Sequence, residues 1–478
     1  MDKIAAHSRT KIIATIGPAS RNYETIGELI EAGIDVARIN FSHSTQDDHQ
    51  NTIDLVRKYN HKKNTNACIL GDLQGPKLRV GMVANDEIFL ESGQKILLTS
   101  EECLSTPERL YIHYPNLAHD VKPGENILLD DGKLRLRVLH ANKKNLVEAE
   151  IIHGGKLSSK KGVNFPESKL SVPAISVKDM SDLDFSVKNH VEWIALSFVR
   201  TADDIIHLKD TLKDLHSKAK VIAKIEKPEA VKNITDIIAV SDAVMVARGD
   251  LGVEMELELV PVLQKQIAIE CIRAAKPVII ATQMMESMIQ SPTPTRAEAN
   301  DVTNAVLDGA DAVMLSAETS TGAYPVDVVR IMQKIVRVAE TQQIVYGKRD
   351  SANISSPTYL SDEICRQAVL IADAIHAKAI VSMTHSGYTA FELASYRPQA
   401  PVFIFTDNHQ LLNTLSLIWG VRAFYYDKFA TTDETIRDVN GLLKEMGFVV
   451  ANDLVINTTS MPLHSRSRTN TIKLSKIE

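Results

Sequence analysis

DAVMVARGDLGVE, residues 242–254, decides how this chain is read. Five apolar residues, 243–247, run straight into Arg248, Gly249 and Asp250. A short apolar run closed by turn residues marks a strand buried on both faces, as in parallel sheets. The charged residues then stand at the carboxyl end of the strand, where barrels and open parallel sheets bind their ligands. Gly249 has no side chain, so the backbone there can come close to a ligand. The plainer alternative is that Asp250 only caps the following helix.

Just upstream, KVIAKIEKP (220–228) is a second run of this kind. Alternation puts Ile222, Lys224 and Glu226 on one face. A lysine within an apolar strand is costly unless it is paired or functional. Glu226 and Asp250 would end adjacent strands on one rim. Two neighbouring carboxylates repel, a divalent cation relieves that repulsion, and hard oxygen ligands suit Mg²⁺ or Mn²⁺. A Lys224–Glu226 ion pair without a metal accounts for the same residues.

Similar runs occur at 11–16, 34–41, 67–72, 193–198, 221–226, 243–247, 278–282 and 312–316, with helical patterns after most of them. Eight β/α units predict a (β/α)8 TIM barrel. The alternation breaks once, between 76 and 172, where short β-type runs at 87–90, 95–99, 126–129, 133–139 and 146–152 are punctuated by Asp130-Asp131-Gly132 and His153-Gly154-Gly155. Such punctuation predicts turns, and the segment is expected to be an inserted all-β lid domain above the rim. Beyond a polar linker at 351–358, runs at 379–383, 402–406, 423–426, 454–457 and 471–474 predict a C-terminal doubly wound α/β domain. The expected division is a barrel of 1–75 and 173–345, a lid of 76–172, and a C-terminal domain of 346–478.

A length of 478 residues fits such a division, at about 150 residues per domain. With 44% apolar and 24% charged residues and a net charge of −6, the composition is that of a soluble globular protein. Nothing in it points to nucleic acid or an anionic membrane as a partner. Cys68, Cys103, Cys271 and Cys365 are scattered and form no disulfide frame, which suits a reducing compartment. MDKIAAHSRTK at the start lacks the apolar core of a secretory signal, and no uncharged apolar run approaches the roughly 20 residues of a membrane span. A cytoplasmic location is expected.

Other strand ends add polar residues to the same rim. Arg38, Asn40 and Ser42 share a face of the second strand; a phosphate with a small cation would satisfy them, and so would a structural hydrogen-bond cluster. The third strand delivers Asp72, after which Gly75-Pro76 is a natural hinge. Lys77 and Arg79 then face anions or the carboxylates, or are surface charge. Thr282 positions a water, relays a proton, or caps the next helix. Ser316 and Glu318 stand behind the rim or serve as caps, and TPTRAE (293–298) is a contact segment or an ordinary helix start.

Nine stretches together carry a resemblance: TKIIATIGPASR (10–21), VARINFSH (36–43), GPKLR (75–79), KKGVNFP (160–166), AKIEKPEA (223–230), MVARGDLGVE (245–254), ATQMMESM (281–288), PTRAEANDV (294–302) and MLSAETSTGAYP (314–325). In this order they resemble the pyruvate kinase family through barrel and lid; the C-terminal third is less specific. The resemblance implies phosphoryl transfer from phosphoenolpyruvate to ADP, giving pyruvate and ATP, the last step of glycolysis. By the same resemblance Glu226 and Asp250 hold Mg²⁺, Lys224 and Arg38 grip the phosphoryl group, and Gly249, Asp250 and Thr282 contact substrate. Thr282 lies on the proton path to the enolate; its hydroxyl is too weak an acid to act alone, so a water relay is expected. Asn40, His43, Arg79 and Lys161 take the nucleotide side, and a second Mg²⁺ arrives with ADP.

Many members of the family hold K⁺ near residues matching Asn40, Ser42, Asp72 and the Leu73 carbonyl, and carry a glutamate in the GPxxR turn. Here that position is Lys77, with Leu73, Gln74 and Val80 around it, which resembles the K⁺-independent branch: a fixed ammonium replaces a mobile cation. MTHSGYTA (383–390) resembles the family's effector-phosphate loop, with Thr384, Ser386, Gly387, Tyr388 and Thr389 as matching positions; a plain helix cap is the alternative. LHSRSR (463–468) departs from the fructose 1,6-bisphosphate pattern, so a sugar monophosphate or AMP is expected, reached by Arg466 or Arg468. The family implies a homotetramer. A metal-dependent aldolase or lyase acting on pyruvate-like acids could use the same carboxylate pair but has no need of Lys160-Lys161 or the GPKLR turn. A non-catalytic sensor has no need of Lys224, Arg38, Glu226 and Asp250.

Overall fold

Side chains alternate between two buried faces along every barrel strand, and this sets the architecture. The structure, a computed structural model, describes residues 8–428, 431–461 and 467–478. Most of the amino-terminal stretch read for a secretory signal, and Arg466 with most of its segment, lie outside the described residues. Strands Lys11–Thr15, Val36–Asn40, Cys68–Asp72, Trp193–Leu196, Lys220–Ile225, Ala243–Ala247, Val278–Ala281 and Ala312–Leu315 pair in parallel and close on themselves, the first pairing with both the second and the eighth. All eight lie where the apolar runs predict them.

Residues such as Ile13, Leu70, Ala195, Ile222, Met245 and Ile279 fill the inside of the barrel. Their neighbours Ile12, Ile69, Ile194, Val244, Ile280 and Val313 pack outward in the layer shared with the helices. The next inward positions toward the carboxyl ends are Thr15, Arg38, Asp72 and Lys224, all buried. The apolar column inside the barrel therefore ends in a polar layer at the rim.

The inserted segment forms a six-stranded sheet and a two-stranded one, with an apolar core of its own. Five of its strands follow the sequence pattern. Arg109–Tyr111 and Val163–Asn164 do not, because 3 and 2 residues are too short for alternation to show, and Gly155–Ser158 does not, because it starts within the glycine pair read as a turn. The hinge is tied to the barrel by Asp179, which completes the cap of helix Val177–Lys188 and also accepts the Gly75 amide at 3.0 Å.

The C-terminal sheet runs in the order Val421–Tyr425, Val402–Thr406, Ala379–Met383, Leu454–Thr459, Thr471–Lys476, with the last strand antiparallel. It covers the amino ends of the barrel strands. Arg397 grips both oxygens of Asp311 at 3.0 and 2.8 Å, and the Trp193 indole donates to the Thr414 carbonyl at 3.1 Å. The apolar column inside the barrel continues into the core of this domain. Among the described residues no helix is long and apolar enough to cross a membrane.

Candidate active site

The polar layer is a hydrogen-bonded ion network. Lys224 Nζ lies 2.6 Å from Ser197 Oγ, 2.9 Å from Glu226 Oε1 and 3.2 Å from Asp72 Oδ1. Arg38 closes on Asp72 Oδ2 through Nε and Nη2, both at 2.7 Å, and donates through Nη1 to Thr15 Oγ1 at 2.8 Å. Glu226 Oε2 accepts the Phe198 amide at 2.7 Å. Burial works to lower the Lys224 pKa, but Asp72, Glu226 and Asp250 outweigh it and hold the value above that of an ordinary lysine. Burial likewise works against the Asp72 carboxylate, and Lys224 and Arg38 reverse that, leaving its pKa low. Glu226 goes the other way: burial, together with the nearby Asp250 charge, raises it despite Lys224. The Lys224–Glu226 pair read from the sequence is therefore present, with Asp250 acting electrostatically on both members.

Asp250 stands in the first turn of a seven-residue helix, Arg248–Glu254, that follows its strand directly. Among the described residues its carboxylate has no hydrogen bond or ion pair. An unpaired carboxylate facing a buried one is a donor set suited to a divalent ion. Among the described residues no three His, Cys, Asp or Glu side chains converge as a metal cage. That fits Mg²⁺, which commonly takes one or two protein carboxylates and fills its remaining positions with substrate oxygens and water.

Thr282 does not cap the helical turn that follows it, Glu286–Ile289, whose N-cap is Met285; it serves the first turn of helix Arg248–Glu254 instead. Its hydroxyl accepts the Gly249 amide at 2.8 Å and donates to the Ala281 carbonyl at 2.6 Å. A Cβ at Gly249 would stand 3.3 Å from that hydroxyl oxygen, so glycine keeps the contact open. The hydroxyl is thus held at both ends, one lone pair on the Gly249 amide and its proton on the Ala281 carbonyl.

Of the residues expected on the nucleotide side, His43 and Arg79 come near each other between barrel and lid. The pKa of His43 is lowered by partial burial and by the charges of Lys77, Arg79 and Arg38, so this corner is electropositive. Arg79 also donates to the Lys160 carbonyl at 2.9 Å, and Lys161 pairs with Asp130 at 2.8 Å, so both are anchored within the lid. Lys77, Asp131, Gly162 and Asp250 line one cleft under the lid. Of the monovalent-cation positions, Asn40 Oδ1 accepts the Ser42 amide at 3.1 Å, the Leu73 carbonyl accepts Ser197 Oγ at 2.7 Å, and Asp72 serves Arg38 and Lys224. Ser42 lies in the turn beyond its strand. Glu318 accepts the Ser316 and Met285 amides at 2.6 and 3.3 Å, so this pair shapes the backbone behind the rim. Glu298 caps its own helix and accepts from Ser287.

Sequence reasoning missed Ser197 and Thr15, which join the network from strand ends, and left Arg248 without a role. The rule that singled out Thr282, a hydroxyl where a barrel strand stops, applies equally to Ser197.

In the C-terminal domain, Gly387 (φ 86°) precedes helix Tyr388–Ser395 and its amide donates to Thr384 Oγ1 at 3.0 Å. Thr389 and Thr469 share a hydrogen bond of 2.7 Å, and Tyr388 donates to Asp362. Thr384, Ser386, Tyr388, Thr389, Arg468 and Thr469 line one pocket. It opens at the carboxyl ends of Ala379–Met383 and Leu454–Thr459, where the strand order reverses, the usual ligand position in doubly wound sheets.

Comparison with known proteins gives a consistent result. The family model described as pyruvate kinase, barrel domain, matches residues 7–329, and that for the pyruvate kinase alpha/beta domain matches 362–475. A pyruvate kinase of Corynebacterium glutamicum is 44% identical over 465 residues, 97% of this chain and 96% of that protein. One from Staphylococcus aureus is 39% identical over 469 residues, 98% of this chain and 80% of that protein. The crystal structure of a pyruvate kinase from Cryptosporidium parvum matches with a TM-score of 0.93 at 32% identity, covering 100% of this chain and 98% of that one.

Proposed function

The chain belongs to the pyruvate kinase family, and we propose the following division of work among its own residues. Phosphoenolpyruvate sits on the rim with its phosphoryl group between Lys224 and Arg38, and ADP enters from the His43, Arg79 and Lys161 side. Phosphoryl transfer needs positioning and charge neutralisation rather than covalent help. The observation that carries the reading is the buried Lys224 ammonium, kept charged between Asp72 and Glu226 with an unpaired Asp250 beside them. A Mg²⁺ or Mn²⁺ ion held by Glu226 and Asp250 would draw charge off the transferring group and orient its oxygens. Arg38, anchored by Asp72 and Thr15, holds the phosphoryl oxygens from the other side. Gly249 lets the backbone approach the substrate. Thr282 passes its proton toward the enolate carbon through a water, because a threonine hydroxyl is too weak an acid to do so directly.

Segments 1–75 with 173–345, 76–172 and 346–478 work as barrel, lid and regulatory domain of a cytoplasmic homotetramer.

The enzyme works without K⁺. Three oxygen groups of the monovalent-cation pocket, Asn40 Oδ1, the Leu73 carbonyl and the Asp72 carboxylate, are already engaged by protein donors, and the Lys77 ammonium, which among the described residues has no ion pair, bears electrostatically on His43 in the same corner. Assayed with choline as the only monovalent cation, ATP formation from ADP and phosphoenolpyruvate is expected to keep most of its K⁺ rate. Lys77→Glu is expected to lose on the order of tenfold in choline, the factor that about 1.4 kcal/mol of lost charge stabilisation produces, and to recover with K⁺. ATP formed only with K⁺ overturns the role of Lys77; no ATP in either salt overturns the whole reading.

The C-terminal pocket takes a phosphorylated effector, a sugar monophosphate or AMP in preference to fructose 1,6-bisphosphate. The Gly387 helix start and the Thr384, Ser386 and Thr389 hydroxyls suit one phosphate, with Arg468 on the facing wall. Thermal shift should show stabilisation by the monophosphates that Arg468→Ala weakens; no shift with any phosphate ligand ends this proposal.

A further inference from the structure

Arg248 has no role in the scheme above, yet its side chain is only 11% exposed. Nη1 reaches Asp301 Oδ1 at 2.7 Å. Nη2 donates to the Thr282 carbonyl at 2.7 Å, with the Gln283 carbonyl at 3.3 Å and Met284 Sδ at 2.9 Å beside it. The guanidinium thus directs its donors at the backbone of the turn that presents Thr282. That turn is strained, with Thr282 at φ 68° and Gln283 at φ 56°. A β-branched residue rarely occupies this region, and such conformations persist only where the surroundings fix them. The next residue, Gly249, donates its amide to Thr282 Oγ1 at 2.8 Å. Arg248 and Gly249 together hold Thr282 by its carbonyl and its hydroxyl.

We propose that Arg248 is a positioning residue for the proton-transfer half of the reaction: its guanidinium keeps the Thr282 turn in its left-handed conformation and so keeps the hydroxyl aimed at the proton path. The inference rests on the reading of Thr282 given above. Arginine is required because a planar fork bridges Asp301 and the turn carbonyls at once, whereas a lysine ammonium is a point charge on a different stem. Lys224, Arg38, Glu226 and Asp250 make no contact with the guanidinium, so phosphoryl transfer depends on it less. In the half-reaction run backward, a methyl C–H bond of pyruvate breaks, its proton leaves through the hydroxyl and a water to solvent, and a C–D bond forms from D₂O.

The test follows that exchange by NMR in full-length enzyme with Mg²⁺ and pyruvate in D₂O, alongside ATP formation from phosphoenolpyruvate and ADP. In R248K, exchange is expected to fall roughly ten- to a hundredfold, the scale of a misplaced reacting group, with a smaller fall in ATP formation and an unchanged KM for phosphoenolpyruvate. T282A should lose exchange similarly, and the R248K/T282A double variant no more than T282A alone. Wild-type exchange in R248K with impaired T282A overturns the proposal and leaves Thr282 its role. Losses that multiply in the double variant also overturn it, because the two residues then act independently. Wild-type exchange in T282A removes the Thr282 reading and the inference with it. Should R248K not fold, D301N decides: it loosens the same guanidinium from outside the rim, a partial loss of exchange supports the proposal, and wild-type exchange overturns it.

Discussion

Lys224→Met is expected to lower kcat by roughly 10²–10³ or more, the range found when a fixed charge at a transition state is removed. The reason lies in how the ammonium is held. It is buried, so it cannot be replaced by water, and the carboxylates of Asp72 and Glu226, 3.2 and 2.9 Å away, keep it protonated. Migrating phosphoryl charge therefore meets a cation already in place and already desolvated, which costs no reorganisation during the reaction. The substitution also leaves buried carboxylates short of a partner, a defect that can cost about 3–5 kcal/mol when one member of a buried pair is deleted. Here the damage is limited, since Arg38 still holds Asp72 and the Phe198 amide still holds Glu226. Thermal melting separates the two effects: a folded variant with lost turnover supports the assignment, and a folded variant with wild-type kcat refutes it.

Asp250→Asn should abolish most divalent-ion binding, with a loss of affinity of at least about 10–100-fold, the scale seen even when only a supporting partner of a metal ligand is removed. Titration of the substrate-free protein with Mn²⁺, followed by electron paramagnetic resonance or calorimetry, reads this without reference to turnover. The variant is clean because, among the described residues, the Asp250 carboxylate makes no hydrogen bond or ion pair, so its removal orphans nothing and the melting temperature should hold. Relief of the charge facing Glu226 acts in the same direction, since Asp250 helps to raise the Glu226 pKa. Unchanged Mn²⁺ affinity in a folded variant would place the ion elsewhere and break the assignment of both carboxylates.

Much of this site could be read from the chain because barrel strands announce themselves. An apolar run long enough to cross the barrel, ended by a polar residue, gives both the strand and the rim residue, and Arg38, Asp72, Glu226 and Asp250 were all found that way. What stayed hidden depends on partners distant in sequence. Nothing near Ser197 says that its hydroxyl bridges Lys224 and the Leu73 carbonyl. Nothing near Arg248 says that it reaches a turn 34 residues on. The short lid strands carry too few residues for a period, and the docking of Trp193 on Thr414 joins positions 221 apart. In the C-terminal domain the strand order, and hence the place of the pocket lined by Thr384 and Arg468 at its reversal, is a property of pairing and not of any local run.

The two additions to the barrel are joined to it by different means, and they must move differently. The lid keeps its apolar core to itself and meets the barrel through single polar ties, such as Asn164 to Glu254 and the Leu170 carbonyl to Arg200. It can swing as a gate on a few pivots while the wall behind it stays put. The C-terminal domain shares its oily interior with the barrel floor. A tilt of that domain would have to drag the floor with it, so it is set against the barrel as a keel is against a hull.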